Sequence, residues 1–187
     1  MVQYLIQMSG VPGSGKSTIA QGIAPELNAV VVDHDDIKSA ILSKGIENDL
    51  AGQASYEVIK ALVNRFVDQG FSVVIDSPCL YTELLVFGQC IAQKHGVTYR
   101  YIECRLEDLE VLNERINSRE GKPSQAMYGP LEDYPIQHQG KPPRDRKEVF
   151  VEWAKNMKRP ENYLVVDTLK KPSLCVDVAL KYVRSIT

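Results

Sequence analysis

No apolar stretch in this 187-residue chain approaches the roughly 18–20 residues needed to cross a bilayer. A first strand beginning at Val2 leaves no room for a charged and apolar leader ahead of it, so a cytoplasmic protein without a membrane partner is expected. Charge of one sign is also missing: 22 Lys and Arg stand against 24 Asp and Glu, a formal net of −2. That balance excludes a broad basic face for duplex DNA, whose binding is driven by many phosphate-neutralising cations, and leaves nucleic acid only as a single-stranded end. Cysteine is scarce and scattered. Cys79, Cys90, Cys104 and Cys175 form neither a CxxC pair nor a Cys/His cluster, which excludes a zinc site or a disulfide scaffold and reads them as small buried hydrophobes.

What is present is alternation. Short apolar, β-branched runs at 2–8, 29–32, 72–75, 98–102 and 163–166 are each bounded by Gly, Asn, Asp or Pro, with helix-period segments between them. Tyr56, Ile59, Val63, Phe66 and Val67 fall on one helical face, closed by Gly70. Strands separated by helices must run parallel, because parallel neighbours need a crossover connection. The expected fold is α/β: a three-layer sandwich with a five-stranded, mainly parallel sheet, formed as one domain over 1–187. One interval breaks the plan. Five prolines and three glycines between 120 and 144 exclude a long helix, and about 25 irregular residues in a compact domain suggest a lid or binding loop, here 119–147.

The strongest local signal is Gly10-Val11-Pro12-Gly13-Ser14-Gly15-Lys16-Ser17-Thr18, a full G-x-x-x-x-G-K-[ST] between an apolar strand and a helix pattern. Its glycines let successive backbone N–H groups of 13–18 point at phosphate oxygens, with the helix N-terminus adding its positive end. Lys16 then reaches the β- and γ-phosphates, and the Ser17 hydroxyl ligates Mg²⁺. A nucleoside triphosphate is therefore the expected ligand. The third strand ends Ile75-Asp76-Ser77-Pro78, without the second carboxylate that polarises water in ATPase motors, and no Asn-Lys-x-Asp guanine motif occurs. Both absences favour an acceptor other than water, with Asp76 supporting the metal through water and bordering the substrate. A regulatory ATP-binding or ATPase module with no acceptor remains open at this point.

The second strand runs into Asp33-His34-Asp35-Asp36-Ile37-Lys38, and strand carboxyl ends line the ligand crevice of such sheets. A carboxylate there can accept the proton of an attacking hydroxyl and hold its oxygen in line, although Asp35 or Asp36 could equally cap the next helix. His34 reads as a spacer. Leu109, Leu112 and Ile116 mark a core face, leaving Arg115 and Arg119 as an i, i+4 pair able to bridge donor phosphates or to sit solvated beside Glu114 and Glu120. Residues 141–159 carry seven cations against three carboxylates, a local excess that could guide a polyanion, line the triphosphate mouth, or form a solvated face around Val149, Phe150 and Trp153. After the last strand, Thr168 and Leu169 are candidates for contact with the base.

Taken together, the P-loop, His34-Asp35-Asp36-Ile37-Lys38-Ser39, Ile75-Asp76-Ser77 and Arg115-x-x-x-Arg119-x-x-Lys122 resemble the kinase domain of polynucleotide 5′-kinases and the AAA-type P-loop kinases grouped with them. The resemblance covers roughly 1–170 and is specific only at these motifs. It implies ATP and Mg²⁺ as cofactors, Asp35 as general base, Lys16 and Ser17 on the phosphates and metal, and Arg119 as the lid arginine on the donor. It also implies a hydroxyl acceptor, either a small molecule or a nucleic-acid 5′ end. Where those kinases carry an Arg for a 3′-phosphate, this chain has Lys38, a point charge without the bidentate fork, which tilts the reading to a small acceptor carrying an anionic group.

Overall fold

A computed structural model describes residues 2–118, 122–128 and 146–185, with 126–128, 146 and 147 described in their backbone only. The described elements follow the alternation. They are β1 (Tyr4–Ser9), α1 (Lys16–Ile23), a 3-10 turn (Pro25–Leu27), β2 (Ala29–Asp33), α2 (His34–Leu42), α3 (Asn48–Asp68), β3 (Ser72–Asp76), α4 (Thr82–His95), β4 (Thr98–Arg105), α5 (Leu109–Asn117), a second 3-10 segment (Pro123–Tyr128), α6 (Arg146–Asn156), β5 (Leu164–Asp167) and α7 (Pro172–Arg184). The sheet order is β2-β3-β1-β4-β5, and every pairing is parallel, so the sheet is wholly rather than mainly parallel. Strand ends lie up to three residues from the apolar runs, because ladder pairing continues through polar residues such as Asp33, Asp76 and Arg105.

The period-two alternation of each strand divides the core. Ile6, Met8, Val74, Ile102 and Val166 pack under α1 and α7, whereas Leu5, Val73, Ile75 and Val32 pack under α3 and α4. A third cluster around Val11, Leu112, Ile116 and Phe150 ties α5 and α6 to the P-loop. Cys79, Cys104 and Cys175 are buried as expected, but Cys90 lies on the exposed side of α4. Tyr56 is the cleft-side end of the α3 stripe rather than a fully buried core residue, since its ring stacks on His34 with centroids 4.7 Å apart.

This sheet sets five strand ends along one edge. β1 feeds the P-loop, β2 delivers Asp33 beside Asp76 of β3 in register, and β5 delivers Asp167 and Thr168. Among the described residues no helix is long and apolar enough to cross a membrane. Truncation of Ile6, fully buried at the centre of β1, leaves a cavity between the sheet and α1. Ile6→Ala should therefore cost about 2–5 kcal/mol, read as a lower urea midpoint at an unchanged m-value.

Candidate active site

The loop between β1 and α1 curls because its glycines occupy the left-handed region. Gly13 has φ 80° and Gly15 φ 87°, values at which a side chain would be strained. A Cβ on Gly13 would also come within 2.9 Å of Ile116, so the loop presses against α5 as well as turning. The Ser14 amide donates to the Val11 carbonyl at 3.1 Å, and Lys16 Nζ donates to the same carbonyl at 3.1 Å. The ammonium thus lies across the mouth of the loop. Ser14 Oγ is buried without a hydrogen-bond partner among the described residues, a vacancy in bonding that an anionic oxygen would fill. Ser17 and Thr18 are exposed on the first turn of α1.

Asp76 is 4% exposed, the nearby Ser17 hydroxyl favours its charged form, and its Oδ2 has no partner among the described residues. Burial pushes the Asp76 carboxyl up from its ordinary value, and Lys16 and Ser17 offset only part of that. The pair of a cleft-facing hydroxyl and a buried, under-bonded carboxylate suits a hard cation that shares its ligation with phosphate oxygens.

α2 begins one residue after β2 because the Asp33 side chain caps it, its Oδ1 accepting from the amides of Asp35 at 2.7 Å and Asp36 at 3.3 Å. Neither Asp35 nor Asp36 is therefore the cap. Asp36 points to Lys122, whose Nζ lies 2.6 Å from Asp36 Oδ1 and 3.0 Å from Asp33 Oδ2. Asp35 turns into the cleft. Burial works to raise its carboxyl, but the His34 ring, the Gln125 amide and the Lys16 ammonium together hold it well below the usual carboxylate range. His34 Nδ1 lies 3.5 Å from Asp35 Oδ1, without the alignment of a hydrogen bond, while Gln125 Nε2 donates to Asp35 Oδ2 at 2.5 Å.

Sequence reasoning missed Gln125 and Ser124, which sit in the Pro-rich interval and carry no motif. Ser124 Oγ donates to the Asp35 carbonyl at 3.1 Å, its amide donates to Ser39 Oγ at 3.2 Å, and with Lys122 these contacts bind the 3-10 segment to α2. Tyr81 was also unmarked. It continues the aromatic wall from His34 and Tyr56, its ring edge-on to Tyr56 at 5.2 Å.

Arg115 does not sit as a solvated helix charge: its Nη2 donates to the Thr168 carbonyl at 2.8 Å while the side chain lines the cleft. Thr168 spends its hydroxyl on the Arg105 carbonyl at 3.1 Å and turns Cβ and Cγ2 toward Gly15. Arg119 and most of the expected 119–147 lid lie outside the described residues, as do Lys141 and Arg144 of the basic stretch. At the other end of the stretch, beyond α6, Arg159 turns inward to Glu103 with Nε 2.5 Å from Oε2. A cleft of about 1100 Å³ joins Gly13, Gly15, Lys16, Ser17, Thr18, Asp35, Lys38, Asp76, Arg115 and Thr168. It has the size of a site for a nucleotide and a second small molecule.

A wholly parallel five-stranded α/β sheet with a phosphate-cradling loop on its central strand defines a P-loop kinase-like fold. The sequence matches the AAA domain family over residues 5–134, and the chain belongs to that family. It is 26% identical over 112 residues to the cytidine diphosphoramidate kinase of Campylobacter jejuni, a match spanning 57% of this chain but 64% of that protein. Among solved structures it resembles a Mycobacterium tuberculosis APS kinase in complex with AMPPNP and APS, with TM-score 0.64, 15% identity and 98% of each chain covered. A sugar kinase from Janibacter sp. gives TM-score 0.62 at 19% identity, covering 97% of this chain and 94% of that one. A gluconokinase from Sinorhizobium meliloti gives 0.57 at 17%, covering 94% and 89%.

The buried Asp76 carboxylate makes a stability prediction. Because its folded value is raised, its destabilising effect is absent at acid pH, where folded and unfolded carboxyls are both protonated. The effect grows as pH rises past the unfolded carboxyl value near 4. Asp76→Asn should therefore raise the Tm of the nucleotide-free protein at pH 7 and do so far less at pH 4. A gap of equal size at both would disprove the assignment.

Proposed function

We propose that this chain is an ATP- and Mg²⁺-dependent cytoplasmic kinase, a single catalytic domain that transfers the γ-phosphate to a hydroxyl of a small molecule. The observation that carries the reading is the shared cleft of Lys16 and Asp35, a phosphate cation and an acceptor carboxylate on adjacent helix N-termini. The parallel relatives named above are kinases, which supports the same reaction class.

In this reading the loop amides of 13–18 and Lys16 hold the phosphates, and Arg115, fixed against Thr168, borders the donor nucleotide. Arg119 closes over it. Ser17, backed by Asp76, would hold Mg²⁺, which offsets phosphate charge when bound. Asp35 accepts the hydrogen bond of the acceptor hydroxyl, aims its oxygen, and takes its proton as the bond to the γ-phosphorus forms and the bond to the β,γ-bridging oxygen breaks, releasing ADP. A carboxylate held below its usual range is a weak base, which suits a loose transition state in which proton transfer comes late. Orientation is then the larger share of its work. Lys38 meets an anionic part of the acceptor.

Incubation with pooled hydroxyl compounds and with 5′-hydroxyl oligonucleotides, followed by ATP-dependent phosphate gain, tests the reaction and separates the two acceptor types. Asp35→Ala should lower turnover by about 10²–10⁴-fold while leaving ATP affinity within twofold, whereas Lys16→Ala should lose both. Wild-type turnover in Asp35→Ala would remove the base from the scheme.

A further inference from the structure

The acceptor side of the cleft contains a cation whose partner is not in the protein. Lys38, on α2, is 9% exposed and lines the cleft, yet among the described residues its ammonium makes no hydrogen bond or ion pair. Asp35 and Asp49 act on it only through space. With its stem packed in the protein and its head opening to the cleft, the ammonium presents three donors to whatever occupies the space beside it. The head of Lys38 lies beside Gly52 of α3: a Cβ placed there would meet Lys38 Nζ at 3.8 Å.

Neighbouring cations are already committed. Lys60 pairs with Glu57 at 2.6 Å, and Lys122 pairs with Asp33 and Asp36. Asp49, which acts on Lys38 through space, also lines the cleft, so a second ligand charge beside Lys38 would meet a carboxylate. Asp35 and Lys38 stand three residues apart on one face of α2, which sets their Cβ atoms about 5–6 Å apart. The reacting hydroxyl and the anion must therefore lie a few carbons apart in one small molecule.

Resting on the kinase reading above, we infer that the acceptor is a short-chain hydroxy acid, its hydroxyl on Asp35 and its single carboxylate on Lys38. A phosphate ester or polynucleotide end brings two or more charges to a lobe in which Lys38 is the one uncommitted cation among the described residues. A neutral polyol leaves Lys38 without an acceptor. The half-exposed Tyr81 ring, 54% exposed, offers the carbon chain an apolar wall.

The test measures equilibrium binding and ATP-dependent phosphate gain on the same panel: hydroxy acids from glycerate to hexonates, their uncharged amides, sugar phosphates and a 5′-hydroxyl oligonucleotide. At least one hydroxy acid should bind the wild-type protein tenfold or more tightly than its amide. Lys38→Met should close that gap to within twofold while ATP still binds. The acid-to-amide comparison on the wild type needs no variant, so a misfolded Lys38→Met protein would not blunt the test. Equal binding of acid and amide, or tighter binding of a sugar phosphate or the oligonucleotide, would overturn the inference. Lys38-dependent binding of an acid without phosphate gain would uphold the site and refute the kinase reading. Phosphate gain by neutral polyols with no preference for acids would do the reverse.

Discussion

The candidate site hangs on one carboxylate whose own oxygens are spent on structure. Asp33 closes β2 and caps α2 with the same side chain, so the strand ends and the helix starts without a connecting loop. A cap of this kind is worth about 0.5–2 kcal/mol, but its larger effect here is geometric. It fixes the first turn of α2, and that turn decides that Asp35 and Lys38 look into the cleft while Asp36 looks away. Its second oxygen takes Lys122, which draws the 3-10 segment of Ser124 and Gln125 against the same turn. Strand register, helix start and the docking of a Pro-rich segment thus converge on one residue.

The P-loop supplies the complementary constraint. Its glycines permit the curl, and contact of Gly13 with Ile116 seats the loop on α5. α5 also carries Arg115, tied to the carbonyl of Thr168, so the loop after β5 is referenced to the same helix. Donor-side groups are therefore positioned by β1, α5 and β5, acceptor-side groups by β2, α2 and α3. The two sets meet where Asp33 and Asp76 sit side by side in register at the sheet edge.

Much of this was legible in the sequence because it is written in local terms. Period-two runs named the strands, and spacing named the α3 face. The P-loop signature stood between a strand and a helix pattern. The residues that escaped notice are those whose partners are distant in sequence. Gln125 reaches Asp35 across 90 positions and Ser124 reaches the Asp35 carbonyl across 89, from an interval whose prolines announced irregularity but no contacts. Tyr56 and Tyr81 came together across α3 and α4 only through the packing of two helices on one sheet face, and the stripe that contained Tyr56 read as core. The capping role was misassigned for a subtler reason: three aspartates within four residues all satisfy the composition rule, and only the strand's end selects Asp33.

The basic stretch near 141–159 teaches the converse lesson about counting charge. A local surplus suggested a face for a polyanion, yet Arg159 is consumed by the nearly buried Glu103, which Arg105 also holds. Burial pushes the Glu103 carboxyl up, and the two guanidinium groups more than offset it, so Arg159 serves the sheet edge and drops out of the local surplus. Lys38 is the opposite case, a lysine marked in the sequence only by standing where an arginine was expected, and its place on the cleft wall without a partner among the described residues gives it weight. In a chain whose charges nearly cancel, ligand charge is set by which ions the fold leaves unpaired. Among the described residues on the acceptor side, that residue of the accounting is one ammonium, and one spare cation favours one negative charge.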